Sequence, residues 1–337
     1  MKALVMHAPG SVEVDDVPPP VRKPGEALLQ VRYVGLCGTD LNSYRGRNPL
    51  LSYPRIPGHE IAATIADVDS GSSGLSAGTD VTLSPYTNCG ACAACRNDRK
   101  NACQFNLTLG VQRDGALAEY ISVPVEKLYT APLGLRELCL VEPLTVGCHS
   151  VARARVRATD TVAIFGCGGV GLGAVAASAF RGATTIAIDV DDGKLQIAKK
   201  SGAAHVINSR RQDLDAAVRD LTDGLGPAVV IEAVGRPETF LAAVELVAFT
   251  GRVVYIGYAK EPVTYETKLF VQKELDIMGT RNALPEDFRE VIQMLEAGNF
   301  PVDDAISAVV PMSEVSEWLE RWDYRPDQIT KIMVKVS

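Results

Sequence analysis

Four cysteines fall within fifteen residues, spaced Cys89-x-x-Cys92-x-x-Cys95-x7-Cys103. Thiolates at such spacing close a tetrahedral zinc site and leave no position for a substrate. Iron–sulfur motifs also open with C-x-x-C-x-x-C, but they continue after three residues with a cysteine and a proline. Here the last gap is seven residues and Gln104 follows. The spacing predicts a structural zinc in a lobe over 86–105. A second ligand set is scattered. Cys37 follows an apolar run in Gly35-Leu-Cys37, His59 precedes another in Gly58-His59-Glu60, and Glu142 lies in Val141-Glu142-Pro143-Leu144. Thiolate, imidazole and carboxylate make a zinc site with one position open, the kind that does chemistry. Each residue alone also fits a plainer role. A cysteine after a strand is often a small core residue, and Glu142 could cap the segment after it.

A third constellation suits a nucleotide. An apolar, β-branched run over 161–165 leads into Gly166-Cys-Gly168-Gly169-Val170-Gly171, and small or apolar residues continue to position 180. This is a strand, a G-x-G-x-x-G turn and a helix. Gly166 permits the tight turn, Gly168 lets backbone approach a pyrophosphate, and Gly171 lets helix pack on strand. The phosphates would meet the N–H groups of the helix start at Gly169 and Val170. A second strand over 184–188 ends at Asp189, about 20 residues on, as the dinucleotide fingerprint requires. A carboxylate there accepts the ribose hydroxyls and repels a 2′-phosphate, so the expected cofactor is NAD. Lys194 fits either a place over the ribose or a solvated helix face.

The elements that must position these groups divide the chain. Its 337 residues exceed one typical core, so two domains are expected. Residues 27–34 and 61–68 look like strands, and Gly- and Pro-rich turns surround them at 18–20, 24–25 and 71–74. A small barrel-like domain is expected there. From about 144, strands alternate with helices at 161–165, 184–188, 204–207, 228–231, 252–256 and 275–278, which predicts a doubly wound parallel sheet. A helix over 285–297 and a strand over 332–336 follow. That tail is too short to stand alone and should rejoin the first domain. The net charge of −7 argues against a nucleic-acid surface. No apolar run reaches the ~18 residues of a membrane span, and the N-terminus has no signal-peptide pattern. The expectation is a cytoplasmic protein, where eight cysteines suggest metal or catalysis before disulfides.

Taken together, these motifs resemble the zinc-dependent medium-chain alcohol and polyol dehydrogenases over essentially the full length. The likeness rests on Val34-Gly-Leu-Cys-Gly-Thr-Asp40, Gly58-His-Glu60, the four-cysteine lobe, Val141-Glu-Pro-Leu-Thr-Val-Gly-Cys-His149, and Gly166 to Gly171 with Asp189. Within that family the chain looks most like the sorbitol, L-idonate and L-galactonate 5-dehydrogenase branch. Tyr53-Pro-Arg-Ile-Pro-Gly-His-Glu60, Asp114-Gly-Ala-Leu-Ala-Glu-Tyr120 and Gly279-Thr-Arg-Asn-Ala283 carry that narrower likeness. The resemblance implies a GroES-like β-rich catalytic domain over 1–143, a Rossmann NAD-binding domain over 144–279 and a returning segment over 280–337. It further implies that Cys37, His59 and Glu142 bind a catalytic zinc. Glu60 would bind it directly or through water, and Asp40 would orient the ligand histidine. Thr39 would take the substrate's proton, and Arg281 would lie near the polyol hydroxyls.

One position departs from the pattern. Many members carry a histidine three residues after the Thr39 position, to hand the proton to solvent. Here Asn42 stands there, and an amide has no proton to exchange at neutral pH. Water or another group would continue the relay. The expected reaction is zinc-assisted hydride transfer from a secondary alcohol of a small polyhydroxylated substrate to NAD, in a homodimer or homotetramer. Two alternatives share much of the sequence: an L-threonine-type amino-alcohol dehydrogenase, and a non-catalytic NAD-binding protein of the same fold.

Overall fold

The computed structural model describes residues 1–71 and 74–337; Ser72 and Ser73, in the turn expected at 71–74, lie outside them. The chain forms two compact units, Met1–Glu142 with Ile306–Ser337, and Pro143–Ala305.

The second unit is built on a six-stranded parallel sheet. In spatial order its strands are His205–Asn208, Thr184–Asp189, Thr161–Phe165, Val229–Glu232, Arg252–Tyr255 and Asp276–Gly279. By rank along the chain that order is 3-2-1-4-5-6, the doubly wound arrangement. The central strands are buried along nearly their whole length, as expected when helices cover both faces of a parallel sheet. Ala163, Phe165, Ile186, Val230 and Val253 form its core with Leu246 and Val247. All six strands expected from sequence are present, with ends moved by about a residue. The third extends to Asn208 because backbone pairing continues to Asp189, which an apolar pattern cannot reveal.

The first unit holds a seven-stranded sheet around the long strand Glu26–Leu36. Glu60–Val68, Tyr120–Pro124 and Ile332–Lys335 all pair with it antiparallel. The last of these carries the C-terminal end of the chain into this sheet. Its register sets Ile332 against Leu36, while Glu60 lies against Gly35. Ala27, Leu29 and Val31 alternate into a core with Leu4, Ile61, Leu83 and Ile332, and Val34 joins them after a shift in register between Val31 and Tyr33.

The return to the first unit falls at Ile306, not near 280. The helix Pro285–Glu296 belongs to the second unit and buries Phe288, Val291 and Ile292. Its Asp287 meets the buried His149 at 2.8 Å, and its Glu290 receives two hydrogen bonds from Arg181 at 2.6 Å. Pro143 lies inside the helix Leu135–Arg153, so the step between units occurs within a helix rather than a loop.

Candidate active site and metal centre

In the four-cysteine lobe the Sγ atoms of Cys89, Cys92, Cys95 and Cys103 all lie within 4.8 Å of one another. Individual separations are 4.0 Å for Cys89–Cys95, 3.6 Å for Cys92–Cys95 and 3.9 Å for Cys92–Cys103. A tetrahedron with Zn–S of about 2.3 Å has edges of about 3.8 Å, so the thiols fit that ion. Backbone N–H groups point at the sulfurs. Cys89 N donates to Cys103 Sγ, Cys92 N to Cys89 Sγ and Phe105 N to Cys103 Sγ, each at 3.3 Å. Such donors favour the thiolate, and those of Cys95 and Gln104 hold Cys92 down to about 6.

The second centre lies at the ends of two neighbouring strands. Cys37 follows Glu26–Leu36 and caps the helix Gly38–Tyr44, while His59 precedes Glu60–Val68. Antiparallel pairing of those strands brings the three residues together: ligand atoms of Cys37, His59 and Glu60 lie within 4.8 Å of one another. His59 and Glu60 are buried. Asp40 is fully buried in the first turn of the helix, and its Oδ2 accepts the Cys37 N–H at 2.8 Å. Thr39 Oγ1 is 3.6 Å from Cys37 Sγ.

The charge balance suits a cation. Burial alone would lower the pKa of His59, but the negative charges of Cys37 and Asp40 outweigh it and carry the imidazole well above its usual range. His59 Nδ1 and Asp40 Oδ1 are buried without a hydrogen-bond partner. Thiolate, imidazole and carboxylate around an unsatisfied ring nitrogen are the donor set of a catalytic zinc.

Glu142 is not in that three-residue group. Its Oε1 accepts a hydrogen bond from Tyr86, and burial pushes its carboxyl up to about 7 against the opposing pull of His59. Tyr86 had no signal in the sequence. Neither had Lys331, whose Nζ donates to both oxygens of Glu60 at 2.6 Å.

In the second unit the glycine loop has the geometry the motif needs. Gly166 has φ +90°, and a Cβ on Gly171 would stand 1.8 Å from the Gly166 carbonyl oxygen. A Cβ on Gly168 would meet nothing within 4 Å, which leaves that side of the loop open to a ligand. The helix starts at Gly169, and its first bond runs from Leu172 N to Gly168 O, so the N–H groups of Gly169, Val170 and Gly171 precede the first closed turn. Asp189 ends the neighbouring strand and is held by three backbone donors. Oδ2 accepts from Cys167 N at 2.7 Å, and Oδ1 from Val190 N and Asp191 N at 2.7 and 3.0 Å. Lys194 is half-buried in the first turn of the helix Asp192–Lys200. Arg281 is half-buried just beyond the edge strand Asp276–Gly279, in the same unit as the glycine loop.

Residues 23–133 match the family model of the alcohol dehydrogenase GroES-like domain, and residues 169–297 that of the zinc-binding dehydrogenases. The chain is 33% identical to the sorbitol dehydrogenase of Bacillus subtilis over 347 residues, covering 99% of this chain and 97% of that one. It is 31% identical to the L-galactonate-5-dehydrogenase of Escherichia coli, covering 95% of each. Its structure superposes on that of galactitol-1-phosphate dehydrogenase from Escherichia coli with a TM-score of 0.91, at 26% identity and full coverage of both chains. The chain therefore belongs to the zinc-binding medium-chain alcohol and polyol dehydrogenases, NAD(P)-linked oxidoreductases that act on alcohols.

Proposed function

We propose that the chain oxidises a secondary hydroxyl of a linear polyol or sugar acid, of the sorbitol, idonate or galactonate kind, with NAD as hydride acceptor. The observation that carries this is the convergence of half-buried Cys37 with buried His59 and Glu60 beside the Thr39 hydroxyl. A zinc ion held by Cys37 and His59, with Glu60 and Glu142 beside it, would supply a Lewis acid that makes an alcohol acidic at neutral pH. Thr39 Oγ1 would accept the hydroxyl proton while passing its own on. Asn42 cannot exchange a proton, so water or another group would continue the relay to solvent. Asp40 fixes Cys37 through the backbone and places a negative charge beside His59.

The choice of NAD rests on Asp189. Three N–H donors hold its carboxylate in place, so it cannot swing away from a 2′-phosphate. Gly166, Gly168, Gly169, Val170 and Gly171 would cradle the pyrophosphate, with Lys194 near the adenosine ribose. Arg281 offers a fixed fork of donors to a substrate carboxylate or adjacent hydroxyls. Each chain would hold two zinc ions, the second structural, on Cys89, Cys92, Cys95 and Cys103. A homodimer or homotetramer is supported by the edge strand Asp276–Gly279, where Ile277 is 38% exposed, and by Val271 nearby in sequence at 82%. Among the described residues no helix is long and apolar enough to cross a membrane. A cytoplasmic location is supported by eight free thiols.

The test is a steady-state screen with NAD over hexitols, aldonates, amino alcohols and simple secondary alcohols. The highest kcat/KM is expected for a hexitol or an aldonate. A preference for amino alcohols or primary alcohols would overturn it.

A further inference from the structure

A carboxylate oxygen of Glu60 lies within 4.8 Å of the ligand atoms of Cys37 and His59, and the same carboxylate has a second partner. Lys331 Nζ donates to both carboxylate oxygens at 2.6 Å and to Leu36 O at 3.1 Å. The pair is deeply buried, with side-chain exposures of 7% for Lys331 and 1% for Glu60. Sheet register puts them together. Ile332 pairs with Leu36 on one side of Glu26–Leu36, and Glu60 pairs with Gly35 on the other. Lys331 and Glu60 thus flank the end of one strand, directly before Cys37. The backbone makes room for this placement as well: a Cβ on residue 35 would lie 2.0 Å from Glu60 Oε2, so only glycine there admits the carboxylate.

A buried carboxylate must be compensated, and it can be shared between a lysine and a metal only at a cost to one of them. Here the lysine takes both oxygens. We propose that Lys331 is a positioning residue that competes with the metal for Glu60, holding the carboxylate back so that the centre formed with Cys37 and His59 keeps a place open for the substrate hydroxyl. The idea rests on the metal reading of that centre given above. Without Lys331 the anion would stay buried, and the nearest cation able to compensate it would be the metal.

The test replaces zinc by Co(II) in the wild type, K331M and the double variant E60Q/K331M, and records visible absorption together with the rate of metal loss to a chelator. The four-thiolate lobe contributes equally to all three proteins, so differences report the open centre. In K331M the added carboxylate ligand should weaken the visible bands and slow metal release at least tenfold. The double variant, with no anion to donate, should return to the wild-type spectrum. Superimposable spectra and release rates for wild type and K331M overturn the proposal, as does a double variant that keeps the K331M spectrum. Should K331M fail to fold, E60Q alone decides. An unchanged cobalt spectrum supports a withdrawn Glu60, and a changed one shows that Glu60 already ligates and overturns the idea. Cobalt confined to the thiolate lobe in every protein would instead remove the metal reading of the open centre, and this proposal with it.

Discussion

Replacing Asp189 by alanine should relax cofactor choice. A 2′-phosphate on the adenosine ribose would come within roughly 4 Å of the carboxylate. Two like charges at that separation cost ~4 kcal/mol at an effective dielectric of about 20. Asp189 is only half-buried, so solvent and salt reduce this to about 2–4 kcal/mol. At 1.4 kcal/mol per tenfold, the ratio of kcat/KM for NAD to that for NADP should fall by about 30- to 700-fold. The same change removes the acceptor for the N–H groups of Cys167, Val190 and Asp191. Hydrogen bonds to a charged group are worth about 1.5–3 kcal/mol each. Water reaches part of this site, so about 1–3 kcal/mol of total stability should be lost. The assay is kcat/KM for both cofactors, paired with fluorescence titration of NADH and NADPH and a thermal melt. An unchanged cofactor ratio in a folded variant would refute the role of Asp189. A changed ratio with an unchanged Tm would refute the claim that its three backbone contacts brace the loop.

Four further substitutions probe the same geometry. Cys103→Ser should drop metal content from two zinc ions per chain to one and lower Tm, because a structural site contributes folding free energy; Cys37→Ser should keep Tm within a few degrees and lower kcat by at least about 10³-fold. Gly171→Ala places a methyl 1.8 Å from the Gly166 carbonyl oxygen, and since both atoms are anchored in backbone it should cost about 1–3 kcal/mol or more and weaken NADH binding, read by melting and titration. Arg281→Ala should lower kcat/KM for a polyol or aldonate about ten- to a hundredfold more than for a simple secondary alcohol; equal losses would assign Arg281 to structure or cofactor.

Much of this molecule is legible in its sequence, for reasons that differ from residue to residue. The Gly166–Gly171 loop and Asp189 can be read because the constraint is local: a turn, a helix start and one strand length away, an acid. The four cysteines can be read because a single ion would need them close in space, and the chain keeps them close in sequence. Cys37 and His59 are 22 positions apart, but each abuts a strand end, and adjacent antiparallel strands bring those ends together. Lys331 is illegible by the same logic. It lies 271 residues from Glu60, and a lysine beside a strand normally reads as a solvated side chain. Only the register of the last strand against Glu26–Leu36 puts it under the carboxylate. Tyr86 escaped for a similar reason, 56 residues from Glu142 in an extended segment without periodicity. The helix over 285–297 is legible from its entry at Pro285, but its membership of the second unit depends on tertiary contacts such as Arg181 with Glu290.

Hydride transfer as proposed requires a zinc ion at Cys37 and His59. The decisive measurement is NAD-linked oxidation of a responsive polyol or aldonate by enzyme whose exchangeable zinc has been stripped by a chelator, before and after zinc is returned. Activity should vanish while the fold and NADH binding persist, and it should return as one zinc per chain is restored. Full activity in protein shown to lack that zinc would contradict the account.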